Sequence, residues 1–131
     1  MAINEAFGWA WVVLGFVTGA MLGMGFSREG FLGGYDSWRR RLVRLGHIAL
    51  IALGVLNILF AHSAGRFVFV FETAWVQVAS WSLIAGAVLM PAACVLVAFV
   101  PRAKPVFVLP IVTLVTGASI TAIVLVAGAL S

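Results

Sequence analysis

The sequence predicts an all-α integral membrane protein built from four transmembrane helices. Hydrophobic residues make up 64% of the 131-residue chain and charged residues only 9%, proportions far outside those of a soluble domain. Four apolar runs are each long enough to cross ~30 Å of hydrocarbon, which takes about 20 helical residues. We expect a single domain, 1–131, with spans near Phe7–Phe26, Leu42–His62, Ala74–Val100 and Val106–Leu130.

The basic residues predict how these spans are oriented. Seven of the eight lysines and arginines lie in or beside the segments 27–41 and 101–105, and only Arg66 lies between spans two and three. Because basic loops stay on the cytoplasmic side, we expect an antiparallel bundle with both termini on the non-cytoplasmic side. No basic leader precedes span one, so we expect no signal peptide. We expect a multi-pass protein of a cell membrane, specifically of the bacterial inner membrane.

Segment 27–41 mixes glycines and arginines with Phe31, Tyr35 and Trp38. Such a sequence is typical of a basic interfacial loop, with its rings toward the lipid and its cations toward anionic headgroups. A docking surface for a cytoplasmic partner is the alternative. The stretch from Arg66 to Glu72 is too apolar for a solvated loop and is expected to lie along the opposite interface.

Small residues predict where the helices pack. Span one carries Gly15, Gly19 and Gly23 at steps of four, and span four carries Gly117 between threonines at the same spacing. Small residues let helix backbones approach closely in lipid, so these glycines predict packing faces, within the chain or against another subunit. Pro91 inside span three predicts either a kink or a neighbouring side chain that satisfies the freed carbonyl.

The ionisable residues argue against an enzyme. None of the four acids lies deep in a span, so the sequence offers no buried carboxylate for proton relay or cation binding. Small multidrug exporters have a similar size and span count, but they use a glutamate embedded in the first span, which is lacking here. The excess of basic over acidic residues is explained by their role in orienting the spans, so no nucleic-acid partner is expected. We expect no catalytic residue.

Span two carries both histidines, and this is its most informative feature. At 100° and 1.5 Å per residue, His47 and His62 lie ~60° apart around the helix and ~22 Å apart along it, with Gly54 within ~20° of His47. This arrangement resembles the paired-histidine helices of b-type cytochromes. The resemblance implies haem b ligated by His47 and by His62, with Gly54 admitting a porphyrin edge or a close helix.

The second axial ligand and the cofactor stay open. No other span supplies matching histidines, so the second ligand would come from a symmetry mate or from Met21 or Met24. Cys94 is expected near the depth of His47. A chlorophyll-type pigment would need only one histidine per magnesium. Alternatively, His47 bonds a carbonyl across the bundle and His62 faces water or a headgroup.

These observations favour an accessory subunit of a larger membrane complex, in contact with lipid and with other membrane subunits or further copies of itself. An electron-transfer or photosynthetic assembly is the specific form of this interpretation. One alternative is a channel or carrier for a neutral solute, lined by Asn57, Gln77 and the threonines of span four. Another is a purely structural or assembly factor without a cofactor. The tryptophans are expected at the interfaces, with Trp9, Trp11 and Trp75 on the outer side and Trp38 on the inner side.

Overall fold

The computed structural model describes residues 2–67 and 73–130, in which all regular structure is helical. The helices are α1 (Ala2–Phe26), α2 (Trp38–Phe67), α3 (Thr73–Phe99) and α4 (Val108–Leu130), with 3₁₀ turns at Phe31–Gly33 and Pro101–Phe107. Four helical segments in these ranges are long and apolar enough to cross a membrane. The predicted all-helical, four-span class is therefore confirmed.

The helix ends differ from the predicted spans. Helix α1 begins at Ala2 rather than Phe7, which brings the polar residue Asn4 into the helix. Helix α2 begins at Trp38, so the last part of the predicted loop is helical; the Ser37 Oγ caps it by accepting the Arg40 amide at 3.2 Å. The spans were predicted from apolar runs alone, so both polar stretches were left out of them. The first is helical with a buried hydrogen bond at Asn4, and the second with a cap at Ser37. Most of the predicted outer stretch lies outside the described residues.

The helices pack in chain order, α1 on α2, α2 on α3 and α3 on α4, with a smaller contact between α2 and α4. In the most apolar stretch of α3, 44% of the residues are buried, against 17% in α1 and in α4. One buried cluster joins α2 to α3 through Phe60, Ala64, Val76, Ala79 and Leu83. Helix α3 is therefore the centre of the packing, and α1 and α4 lie at the edges.

The segment between α1 and α2 folds back onto the end of α1. The Phe31 ring lies against Phe26, with 5.7 Å between the ring centroids. Gly33 and Gly34 have φ of 89° and 94°, a conformation that favours glycine. Arg40 is only 6% exposed and donates from Nη2 to the Phe26 carbonyl oxygen at 3.0 Å. A cation at a helix C-terminus is favourable, so this arginine stabilises the end of α1.

Candidate functional site

The glycine-bearing face of α1 contacts the histidine-bearing face of α2. A Cβ atom placed on Gly19 would lie 2.6 Å from the His47 Cε1, and one placed on Gly15 would overlap the Ile51 side chain. A Cβ atom placed on Gly8 would likewise lie 2.6 Å from the Ile58 Cγ1. From one contact to the next, the residue number falls along α1 and rises along α2.

The two faces share a spacing that alternates four and three residues. It runs through Gly8, Val12, Gly15 and Gly19 in α1 and through His47, Ile51, Gly54 and Ile58 in α2. A seven-residue repeat of this kind keeps one side of a helix on its neighbour over several turns. Steps of four alone drift around the helix, because four residues turn it by about 400°. Gly23 accordingly leaves the interface, and a Cβ there would meet open space among the described residues.

Two backbones meet in this interface at Gly8 and Gly54. A Cβ placed on Gly54 would lie 2.8 Å from the Gly8 carbonyl oxygen, and one placed on Gly8 would lie 2.5 Å from the Gly54 carbonyl oxygen. The sequence predicted that Gly54 admits either a porphyrin edge or a close helix. The space at Gly54 is occupied by helix α1. It leaves no room there for the edge of a porphyrin.

A buried polar cluster joins three helices beside this glycine pair. Asn4 donates from Nδ2 to the Asn57 Oδ1 at 2.9 Å and to the Ser80 carbonyl oxygen at 3.3 Å, while the Ser80 hydroxyl donates to the Asn4 Oδ1. Asn57 also donates to the Leu53 carbonyl oxygen at 2.9 Å. Both asparagines have 0% exposure, so these hydrogen bonds replace those lost with water.

The sequence singled out Asn57 as a lining residue of a solute path and did not identify Asn4 as its partner. Asn4 lay outside the predicted span because a single polar residue next to Glu5 ends an apolar window. The order of contacts between α1 and α2 could have located Asn4. Gly15 lies against Ile51 and Gly8 against Ile58, so residues still closer to the start of α1 lie beside the second half of α2.

A second polar contact explains the proline inside α3. Pro91 has no N–H and cannot bond the Ala87 carbonyl oxygen, one turn earlier. The Trp11 indole donates to that oxygen instead, with Nε1 at 3.0 Å. The prediction that a neighbour satisfies the freed carbonyl is confirmed. Because Ala87 lies midway along α3, Trp11 reaches deeper than the outer interface where it was expected.

The candidate site is a groove at the other end of the α1–α2 interface. It is open on one side, has a volume of about 240 Å³ and lies between α1, α2 and α3. His47 is half-buried in its wall, with Nδ1 at 3.4 Å from the Thr18 Oγ1. The rest of the lining is almost wholly apolar: Met21, Leu22, Val43, Gly46, Leu50, Pro91 and Val95. The groove therefore presents one imidazole and one hydroxyl in apolar surroundings.

The other candidate ligands lie apart from this groove. His62 is exposed, with Nε2 at 3.7 Å from the Glu5 Oε1. Met24 is 70% exposed and is not part of the groove lining, whereas Met21 is. Cys94 is fully buried, with its Cβ 3.1 Å from a Cβ placed on Gly46. No group of three His, Cys, Asp or Glu side chains suited to a metal ion occurs among the residues that the structure describes.

The polar residues expected to line a solute path are not gathered together. Thr113 and Thr121 donate to carbonyl oxygens of their own helix, at 3.1 Å to Leu109 and 2.7 Å to Gly117. Gln77 and Thr116 are exposed on the outside of the bundle. Gly117 contacts α3, where an added Cβ would lie 2.8 Å from the Leu83 Cγ.

The geometry thus separates a sealed end of the α1–α2 interface, at Gly8, Gly54 and the asparagines, from an open end at His47. Of the residues singled out from the sequence, His47, Met21 and Pro91 line the groove. Comparisons with known protein families, with curated proteins and with solved structures find no match to this chain.

Proposed function

We propose that this protein is a small accessory subunit of a larger membrane complex and that its His47 groove receives part of an apolar cofactor. The cofactors that suit an imidazole ligand are haem b and a chlorophyll-type pigment, as in electron-transfer or photosynthetic assemblies. The observation that carries the proposal is the half-buried imidazole in an open apolar groove. In this proposal the protein has no reaction of its own.

The size of the groove supports a shared site. Pockets that enclose a ligand typically have volumes of about 300–1,000 Å³, whereas this groove has about 240 Å³ and one open side. The chain would cover only part of a macrocycle, and a second subunit or a second copy would cover the rest. The second axial ligand of a haem would come from that second subunit or copy, or from Met21 in the groove lining, because His62 and Met24 lie elsewhere.

The proposal includes a topology. Contacts run in reverse order between α1 and α2, between α2 and α3 (Gly46 with Cys94, Asn57 with Leu83) and between α3 and α4 (Gly86 with Leu114, Leu83 with Gly117), which supports an antiparallel bundle. With the arginine-rich end on the cytoplasmic side, both termini face away from the cytoplasm. The bacterial inner membrane is the proposed location.

A reduced-minus-oxidised absorption spectrum of the protein, purified in mild detergent with its co-purifying subunits, tests the cofactor site. We expect bands of a b-type haem, or the absorption of a pigment, that disappear in His47→Ala and persist in His62→Ala. The two variants are matched, because each removes an imidazole from the same helix. A band that survives His47→Ala contradicts the site, and a colourless complex favours the purely structural subunit.

A further inference from the structure

Two cations lie where the start of α2 meets the end of α3 and the following 3₁₀ turn. The Arg39 Cζ is 5.7 Å from the centroid of the Phe99 ring, and the Lys104 Nζ is 5.2 Å from the centroid of the Trp38 ring. Each cation therefore lies over an aromatic ring that belongs to a different element. Both charged side chains are exposed.

The backbone beneath this pair is held by a buried cluster. Leu42 of α2 packs with Val97 and Ala98 of α3, all 7% exposed or less, and three residues near or in the 3₁₀ turn pack against them: Ala103, Val106 and Phe107. The Ala103 amide also donates to the Val100 carbonyl oxygen at 2.9 Å. This packing holds together the backbone segments that carry the two aromatic residues and the two cations.

Two neighbouring basic residues, Arg40 and Arg41, differ from this pair. Arg40 is buried and bonded to the end of α1, and Arg41 lies 3.9 Å from the Asp36 carboxylate. Arg39 and Lys104 have no carboxylate within 4.0 Å among the described residues. Aromatic rings lie beside both charges, and no carboxylate of the described residues pairs with either.

We propose that Arg39 and Lys104, with Trp38 and Phe99, form a seat for the phosphate of an anionic membrane lipid. The site lies at the end of the apolar spans, the level at which aromatic rings and basic side chains meet lipid headgroups. A cation near the surface attracts anionic lipid, and a guanidinium and an ammonium together can contact several oxygens of one phosphate. The ring faces hold the cations in place and offer apolar surface to the lipid glycerol and upper acyl chains. This inference does not depend on the His47 groove.

The test measures which lipids stay with the protein. Protein reconstituted in phosphatidylcholine vesicles containing about a tenth phosphatidylglycerol is extracted in mild detergent, and the retained lipids are counted by mass spectrometry. We expect enrichment of phosphatidylglycerol over its bulk fraction, reduced by at least about fivefold in the double variant Arg39→Gln/Lys104→Gln. The matched control, Arg28→Gln/Arg44→Gln, removes the same charge from exposed positions outside the pair and should change the enrichment by less than about twofold.

A second double variant keeps the proposal testable if the first does not fold. Trp38→Leu/Phe99→Leu retains both charges and removes both rings, so we expect it to lose part of the enrichment, whereas Arg39→Lys/Lys104→Arg should retain it. Equal losses in the charge variant and its control would overturn the proposal, because only the total charge would then matter. Wild-type protein without enrichment would also overturn it and would favour an acidic protein surface as the partner of these cations.

Discussion

The two ends of the α1–α2 interface use glycine for different purposes. At the sealed end, Gly8 and Gly54 bring backbone against backbone, and the buried asparagines lie beside them. At the open end, Gly19 instead faces the His47 ring, and the helices leave a groove next to it. A glycine in a membrane helix therefore has no fixed meaning. The residue opposite decides whether it closes an interface or makes room for a side chain.

The largest expected effect comes from adding a methyl group at the sealed end. In Gly54→Ala the new Cβ would lie 2.8 Å from the Gly8 carbonyl oxygen, so the helices must separate. We expect the free energy of unfolding in detergent micelles to fall by about 1–3 kcal/mol. The control is Gly23→Ala, where a Cβ meets open space; there we expect a change within about 0.5 kcal/mol. Similar losses in both variants would contradict the close contact.

Breaking the asparagine pair should have the next largest effect. Asn57→Leu removes the shorter of the two acceptors of the buried Asn4 amide and leaves it only the Ser80 carbonyl oxygen at 3.3 Å, which we expect to cost about 1–2 kcal/mol of unfolding free energy. Gln77→Leu makes a matched change at an exposed position and should cost much less. A double-mutant cycle with Asn4→Leu measures the coupling. Additive losses would mean that the two amides do not act together.

The same interface shows which features the sequence could predict. The four helices follow from hydropathy, because a chain in lipid must satisfy its backbone within each span. Gly15 and Gly19 stood out by their spacing, but Gly8 did not, since it belongs to the seven-residue repeat and not to the steps of four. Asn4 was missed, because its burial depends on Asn57 and Ser80, which are distant in sequence and come together only once the helices are paired. His47 and His62 lie only ~60° apart on a helical wheel, and the tertiary contacts show that one lines a groove and the other is exposed.

A smaller effect on stability is expected at Trp11, which reaches from α1 to α3. Trp11→Phe removes the donor to the Ala87 carbonyl oxygen, and we expect a loss of about 1 kcal/mol of unfolding free energy. In a Pro91→Ala background the helix regains an N–H for that carbonyl. The same Trp11→Phe change should then cost less, and a cost that is equal in the two backgrounds would contradict this pairing.

The smallest effects compare the two histidines directly. The side chains of His62 and Glu5 remain accessible over 64% and 47% of their surface, and polar contacts so open to solvent contribute little. We therefore expect His62→Ala to change the unfolding free energy by less than about 0.5 kcal/mol. His47→Ala removes a half-buried ring that fills the space beside Gly19, which should cost roughly 1 kcal/mol. If adding Gly19→Leu restores stability in the His47→Ala background, the glycine exists to accommodate this ring. If the new side chain costs as much with His47 present as without it, the open end is shaped by α1 alone, and the imidazole has no special place in it.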